Sequence, residues 1–146
     1  METEMKAAQN AQMSIMPQGK PEIPGFDIEG ICIPSYEVGG DFFDYLWVDR
    51  ENGPLGVVVG DVSGKAMKAA MTAVMSSGIV FSHAEETYSI NKIMVKLNKT
   101  LRVKTKKQVF TALGIMTIDK KTLKVEIANA GLPEPVLLKS GKVSFV

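Results

Sequence analysis

The chain has 146 residues, a length typical of one domain, and 45% of them are hydrophobic, which excludes an intrinsically disordered chain. Seventeen basic and sixteen acidic side chains leave a formal charge of +1, so no global field indicates a nucleic acid or a membrane as partner. One cysteine, Cys32, excludes an internal disulfide and predicts a reducing, cytoplasmic compartment.

The N-terminal segment predicts a helix followed by a linker. Met5, Ala8, Gln12 and Ile15 recur at a spacing of three and four residues, which predicts an amphipathic helix. Pro17 ends the pattern over residues 1–16, because proline cannot continue the hydrogen-bond ladder of a helix. Several prolines and glycines follow. We therefore expect a linker helix and a Pro/Gly-rich linker over residues 1–24 and the domain proper over residues 25–146.

The rest of the chain predicts strands interrupted by two helices. Apolar runs bounded by turn residues predict seven strands: residues 26–33, 42–48, 55–62, 109–118, 123–128, 135–138 and 143–146. The Asn-Gly-Pro turn at 52–54 predicts a hairpin, and the near-continuous apolar run after it predicts a strand buried on both faces. Helices are expected over residues 65–83, rich in small side chains, and 89–101, capped by Ser89.

Three further features of the sequence concern a membrane span, a secretory signal and the C-terminal strand. The longest apolar stretch, residues 69–81, is broken by polar residues and is far shorter than the ~20 residues needed to span a membrane. The acidic start lacks the basic, then apolar pattern of a secretory signal. An apolar strand runs into the last residue, so we expect a fragment of a longer domain.

The first candidate for chemistry is the run Glu-Val-Gly-Gly-Asp-Phe-Phe-Asp over residues 37–44. Two glycines before Asp41 allow the backbone to pass close to a ligand. On a regular strand Asp41 and Asp44 point to opposite faces, so both cannot serve one ion, and Asp41 is preferred because the glycines adjoin it. The competing interpretation is a turn followed by a solvated aspartate.

The second candidate is Gly-Asp-Val-Ser-Gly-Lys over residues 60–65, where a predicted strand ends in Asp61 and turns into a helix. A carboxylate at a strand end suits Mg²⁺ or Mn²⁺, and the helix N-terminus suits a phosphate. The competing interpretation is that Asp61 or Ser63 only caps the helix. The spacing excludes a nucleotide P-loop, since Val59 and Ala66 occupy the positions of its first glycine and its hydroxyl residue.

A third feature is a local cluster of cations within residues 99–107: Lys99, Arg102, Lys104, Lys106 and Lys107. It suits an acidic or phosphorylated partner, and a solvated loop is the competing interpretation.

In this order, the two aspartate motifs resemble the SpoIIE-like branch of the metal-dependent type 2C (PPM) serine/threonine protein phosphatases. Phe110-Thr-Ala112 resembles the strand entry of that family. Ala130-Gly131, followed by Pro133 and Pro135, resembles its Ala-Gly-His-x-Pro segment. The helix before Pro17 is similar to the linker helix that often precedes the domain. The resemblance covers the chain from about residue 8 onward.

The resemblance implies an α/β (α+β) sandwich of two mainly antiparallel sheets flanked by helices. It implies two Mn²⁺ or Mg²⁺ ions that hold a water for attack on phosphoserine or phosphothreonine. Carried over by position, Asp41 and Asp61 are catalytic metal ligands, Val62 contributes its backbone carbonyl, and Asp44 is a further ligand. Gly40, Ser63 and Gly64 are the expected substrate-binding residues. The implied substrate is a phosphorylated protein in bacterial regulatory signalling, such as an anti-sigma-factor antagonist, and no nucleic acid or membrane is implied.

The chain also departs from the family pattern. Leu132 stands where many members have histidine, and Ala66 stands where the second motif usually has glycine. The later Asp-Gly motif and the final aspartate, both metal ligands in the family, would lie beyond Val146. We therefore expect a C-terminally truncated domain with an incomplete metal site and an exposed sheet edge that favours a homodimer. Two alternatives are a non-catalytic regulatory module of the same fold and an unrelated magnesium-dependent phosphate-binding domain.

Overall fold

The computed structural model describes residues 2–35 and 37–146, so Met1, where the predicted first helix begins, lies outside the described residues. The described elements are α1 (Glu2–Ser14), β1 (Asp41–Leu46), β2 (Leu55–Val62), α2 (Ala66–Glu86), α3 (Ile90–Lys104), β3 (Thr111–Ile118), β4 (Val125–Ala130), β5 (Val136–Lys139) and β6 (Lys142–Phe145).

The strands form two antiparallel sheets. The larger sheet has the order β1-β2-β3-β4, so each strand pairs with its neighbour in sequence, and β5 pairs with β6 in a separate hairpin. Helices α2 and α3 pack on the larger sheet, α2 mainly over β1 and β2 and α3 over β3 and β4. The predicted α+β class with two antiparallel sheets and flanking helices is confirmed.

The hydrophobic core lies between the larger sheet and helices α2 and α3. Its buried members include Phe42, Leu46, Val58, Leu113 and Ile115 from the strands and Ala73, Val80, Ile93 and Leu97 from the helices. Burial of each large apolar side chain stabilises the fold by roughly 1.5–3 kcal/mol. The small residues of α2 allow its backbone to approach the sheet closely, as the sequence predicted.

Strand β2 is buried along its helix face, but its outer face becomes exposed beyond Leu55, so the prediction of burial on both faces is wrong. Val58 and Val62 are buried beneath the helices, whereas Val59 is 47% exposed on the outer face. The near-continuous run of valines therefore reflects β propensity in addition to burial, since β-branched side chains suit a pleated strand on either face.

The predicted hairpin of β1 and β2 is confirmed, and Trp47 explains why β1 ends at Leu46. Trp47 has a positive φ of 61°, which turns the chain out of the strand. Its buried indole Nε1 donates a hydrogen bond of 2.7 Å to the carbonyl of Ala84 on α2. The end of the strand is thus coupled to the helix that covers the sheet.

No strand forms over residues 26–33, which corrects the sequence prediction. The described pairing in this region is an isolated bridge between Ile23 and Phe26. Gly30 lies against the rings of Phe43 and Tyr45 on the outer face of β1, and Ile31 is 78% exposed. An alternating sequence forms a strand only where another strand supplies hydrogen bonds, and this segment lies across side chains instead.

Both boundaries of β2 are as predicted, and the boundaries of the other elements agree with the predictions to within three residues. Strand β4 begins at Val125 and not at 123, because the turn is longer than the sequence indicated. Leu123 has a positive φ of 59° and donates its N–H to the carbonyl of Asp119 at 2.8 Å. Within the described residues, no helix combines the length and hydrophobicity that crossing a bilayer requires.

Candidate metal centre

The register of the first hairpin brings the two predicted aspartates together. Asp41, the first residue of β1, is the direct cross-strand partner of Asp61 near the end of β2. Directly paired residues of antiparallel strands have Cα atoms about 4.5–5.5 Å apart and side chains on the same face. Both side chains belong to exposed residues, so their carboxylates are accessible to a ligand from solvent.

The electrostatics of the pair are unfavourable without a counter-charge. Partial burial raises the pKa of Asp41, and the charge of Asp61 and a hydrogen bond between the two side chains raise it further. Two carboxylates that share a site disfavour double ionisation. A divalent cation between them would remove this repulsion and favour the fully ionised pair.

The backbone beside the pair is closely packed. The N–H of Val62 donates to the carbonyl of Gly40 at 3.1 Å. A Cβ atom at Gly40 would collide with the carbonyl oxygen of Val62, so a side chain does not fit there. Gly40 thus allows the backbone before β1 to approach the end of β2 closely. The Val62 carbonyl lies at this strand end, which also carries Asp61.

Helix α1 reaches this site through Gln12, a residue that the sequence pattern did not single out for chemistry. The Gln12 side chain is buried, donates from Nε2 to the carbonyl of Gly39 at 2.7 Å and accepts from the N–H of Gly39 at 3.2 Å. The predicted inward face of this helix is confirmed at Gln12, which is buried, and is wrong at Ile15, which is 45% exposed, while Met16 is buried in its place. The sequence signal that could have identified Gln12 is its amide side chain at an inward position of the helix pattern.

A cavity of about 220 Å³ opens beside the two aspartates. Its lining includes Gln12, Cys32, Asp41, Asp61 and Lys65. Burial and then the charge of Asp41 raise the pKa of the Cys32 thiol, which disfavours the thiolate that a metal requires. Within the described part of the chain, Lys65 is the cation of this lining, and the sequence motif of residues 60–65 gives it no predicted role.

The backbone is strained at Ala66, where the loop after β2 enters α2. Gly64 and Ala66 have positive φ values of 111° and 54°, and the second is a conformation that favours glycine. The departure from the family pattern at Ala66 therefore falls where glycine would be easier to accommodate. Residues 64–66 line the cavity, so this strain lies next to the candidate site.

Ser63 has a structural partner. Its N–H donates to the carbonyl of Phe110 at 2.8 Å, and its Oγ accepts from the N–H of Phe110 at 2.9 Å. The N-cap of α2 is Lys65, without a side-chain capping bond, so the interpretation of Asp61 or Ser63 as a helix cap is wrong. The N-terminus of α2 thus keeps backbone N–H groups available beside the cavity.

Asp44 lies apart from the pair. It pairs with Val58 on the opposite face of β1, and one of its carboxylate oxygens accepts from the N–H of Tyr45 at 2.8 Å. Burial raises its pKa, and the Tyr45 hydrogen bond partly offsets that effect. The structure therefore brings Asp41 and Asp61 together and leaves Asp44 on the helix side of the strand.

The residues present fit a divalent cation with oxygen ligands. Asp41 and Asp61 offer carboxylates, and Val62 offers a carbonyl at the same strand end. Across residues 2–35 and 37–146, no group of three His, Cys, Asp or Glu side chains could hold a metal ion. Mg²⁺ commonly uses one or two carboxylates together with waters and substrate phosphates, so this donor set is adequate for a partial site.

Comparison with known proteins finds a family model and a relative that match this chain. The family model for stage II sporulation protein E (SpoIIE) matches residues 51–146. The phosphoserine phosphatase RsbU of Bacillus subtilis is 21% identical over 131 residues, covering 90% of this chain and 38% of that protein. The chain therefore spans well under half the length of this relative.

A solved structure shares the fold. The crystal structure of the RsbU and RsbW domains of a Mycobacterium tuberculosis protein superposes with a TM-score of 0.66 at 20% identity. The match covers 78% of this chain and 31% of that one. At this identity the likeness concerns the fold alone, and it agrees with the two antiparallel sheets and three helices described above.

Proposed function

The chain belongs to the SpoIIE family of type 2C-like proteins, and from this premise we propose that it acts in a metal-dependent serine/threonine phosphoprotein phosphatase. The observation that carries the proposal is the cross-strand pair of Asp41 and Asp61 beside the N-terminus of α2. The pair offers negative charge for a cation, and the helix end offers N–H groups for a phosphate.

Each part of the site has a separate task in this proposal. Asp41, Asp61 and the Val62 carbonyl would hold Mn²⁺ or Mg²⁺, which when bound supplies an activated water and neutralises phosphate charge. The N–H groups of residues 64–66 and the Lys65 ammonium would orient the phosphate. Gly40 allows the close approach of β1 to the Val62 carbonyl, and Ser63 holds the loop against Phe110.

The named relative and the family resemblance support a proposal for the substrate class. RsbU is named a phosphoserine phosphatase, which supports a phosphorylated protein as substrate for this chain. We propose an anti-sigma-factor antagonist in bacterial regulatory signalling as the type of partner. The lone free cysteine is consistent with the cytoplasm as the compartment.

The first test is phosphate release from a phosphoserine protein by the full-length product of the gene, measured in Mn²⁺ and in EDTA. We expect activity in Mn²⁺ and none in EDTA. Asp61→Asn should lower kcat/KM at least about a hundredfold, equivalent to about 2.7 kcal/mol, because it removes a ligand charge with little change in volume. Asp41→Asn should have a similar effect.

Asp44→Asn is the matched control, since it makes the same substitution on the opposite face of β1. It should cost much less activity than Asp41→Asn. Equal losses for the two β1 variants would contradict the assignment of the metal face. A well-folded protein that is inactive toward several phosphoproteins would favour the alternative, a non-catalytic regulatory module of the same fold.

A further inference from the structure

The net charge of +1 conceals a strongly basic segment. Residues 87–118 contain seven Lys and Arg residues and neither Asp nor Glu, which leaves ten basic and sixteen acidic residues elsewhere. This segment comprises α3, the following loop and β3. A local excess of one charge on a nearly neutral protein attracts a partner of the opposite charge to that face.

The basic segment contains a groove with an apolar floor. A cavity of about 570 Å³ lies between the C-terminal half of α3 and the start of β3. Its apolar lining is Met94, Leu97, Leu101, Val109, Phe110, Leu113 and Ala130, and its cations are Arg102, Lys106 and Lys107. Among the residues that the structure describes, no acidic side chain lines the groove, and Phe110 is 67% exposed at its edge.

The helix end explains only part of this charge. Cations in the last turn of a helix interact favourably with its negative end, which accounts for Arg102 and Lys104. Lys106 and Lys107 follow the C-cap Thr105, so they do not belong to the helix. Within the described residues the three groove cations form no ion pair, so their charge is available to a ligand.

The groove adjoins the candidate metal centre. Thr111 and Ala112 are the cross-strand partners of Val62 and Asp61, one strand spacing of about 4.8 Å away. The double hydrogen bond between Ser63 and Phe110 joins the loop beside the aspartates to the groove edge. The groove lies on the helix-covered side of β3, and the two aspartates lie on the other face of the sheet. A protein substrate with its phosphoserine at the aspartates would therefore reach the groove around the loop at Ser63.

We propose that this groove, which we call the α3–β3 groove, docks an acidic segment of the phosphoprotein substrate. The inference rests on the proposed phosphatase function and adds how the substrate is recognised. Arg102, Lys106 and Lys107 pair with carboxylates of the segment, while the floor takes an apolar side chain. Such a contact gives affinity and selectivity for one protein substrate without touching the reacting atoms.

The test compares two charge-reversal triples in the intact protein. The groove triple carries Arg102→Glu, Lys106→Glu and Lys107→Glu, and the control triple carries Lys92→Glu, Lys96→Glu and Lys99→Glu. The control lies on exposed positions of α3 outside the groove and changes the net charge equally. If charge reversal disturbs the end of α3, a neutral triple with Gln at the same three positions replaces the groove triple in every measurement.

The probes are a fluorescein-labelled acidic phosphoserine peptide with one leucine, a version with lysines for its acids, and p-nitrophenyl phosphate. We expect the groove triple to raise the Kd and KM for the acidic peptide at least about tenfold, with a small change in kcat. The ratio of kcat/KM for this peptide to kcat/KM for p-nitrophenyl phosphate should fall about tenfold. The control triple should change each quantity less than about threefold.

Several results would overturn the proposal. Equal losses in the two triples would indicate general electrostatic attraction and no docking site. Equal binding of the lysine peptide, or tighter and competing binding of a single-stranded oligonucleotide, would also contradict it. If the wild-type protein hydrolyses neither phosphate substrate, the proposed function fails, but anisotropy with the acidic peptide still decides whether the groove binds it.

Discussion

At the scale of single residues, the candidate site contains two carboxylates whose proximity is electrostatically unfavourable for the fold. Asp41 and Asp61 are paired directly across the hairpin, and burial and the neighbouring charge raise the pKa of Asp41. Ala66 holds a backbone conformation that favours glycine beside the same cavity. Functional sites commonly concentrate such unfavourable features, because ligand binding and not folding stability selects them.

The raised pKa of Asp41 predicts how stability depends on pH. An aspartate whose pKa is higher in the folded state binds its proton more tightly there, so it destabilises the fold at neutral pH. This cost disappears as the pH falls through the raised pKa. In EDTA, we therefore expect Asp41→Asn to have a larger free energy of unfolding than the wild type at pH 7.

The measurement is urea unfolding at a series of pH values between neutral and mildly acidic, with EDTA throughout. The difference between Asp41→Asn and the wild type should shrink toward the acidic end. In excess Mn²⁺ the order should reverse if the metal binds the wild type, because a ligand stabilises the state that binds it. A difference that is independent of pH would contradict the electrostatic explanation.

At the scale of secondary structure elements, the hairpin of β1 and β2 positions the site and α1 supports it from the side. The register of the hairpin aligns the two aspartates, and the Trp47 indole joins the opposite end of β1 to α2. Helix α1 is anchored near its C-terminus, where Gln12 bonds to Gly39 and Met16 joins the hydrophobic core. The segment that carries Asp41 is therefore held by both a strand and a helix.

Gln12 should stabilise the loop that precedes Asp41. Gln12→Ala leaves the N–H and carbonyl of Gly39 without these partners in a partly buried setting, so we expect a loss of about 1–3 kcal/mol in the free energy of unfolding. The affinity for Mn²⁺ should also fall, since the loop leads directly into Asp41. Urea unfolding and calorimetric titration of Mn²⁺ measure the two effects.

Gln9→Ala is the matched control for this helix. Gln9 lies one turn earlier and accepts a hydrogen bond from Lys6 on the surface, so its loss should change stability by less than about 0.5 kcal/mol. If Gln9→Ala and Gln12→Ala destabilise equally, the effect belongs to helix formation and not to the contact with Gly39.

At the scale of the whole molecule, the two faces of the larger sheet differ in their surroundings. One face is covered by α2 and α3, and the other exposes apolar side chains around a cavity of about 360 Å³. Its lining includes Val57, Val59, Met116, Ile127 and Leu132. Exposed apolar surface of this kind favours association, and the outer edges of the terminal strands β1 and β4 add further hydrogen-bonding capacity.

The exposed face predicts self-association of the 146-residue chain. Val59→Lys places a charge at its centre and should raise the dissociation constant for self-association at least about tenfold, as measured by sedimentation velocity. Val103→Lys is the control, since Val103 is 80% exposed on α3 and lies away from this face. A wild-type chain that stays monomeric at high concentration would contradict the prediction of a homodimer.

Much of this molecule followed from local sequence patterns. The extents of α2 and α3, the hairpin of β1 and β2, and the choice of Asp41 and Asp61 rest on periodicity, turn residues and the chemistry of carboxylates. The alternation along β1 also predicted correctly that Asp41 and Asp44 face opposite ways. The family assignment drew on the same two motifs and agrees with the match to residues 51–146.

Other features depended on which segments meet in the folded chain. Residues 26–33 have a strand-like sequence but lie against the side chains of β1, and the valines of β2 are covered on one face only. The pairing of Asp41 with Asp61, the anchoring of Gln12 on Gly39 and the α3–β3 groove likewise require distant residues to come together. The sequence by itself determined the elements and the chemical candidates, because these arise from near neighbours along the chain. Only the tertiary structure decided strand partners, buried faces and the site's surroundings, because hydrogen bonds and burial between distant segments depend on how the whole chain packs.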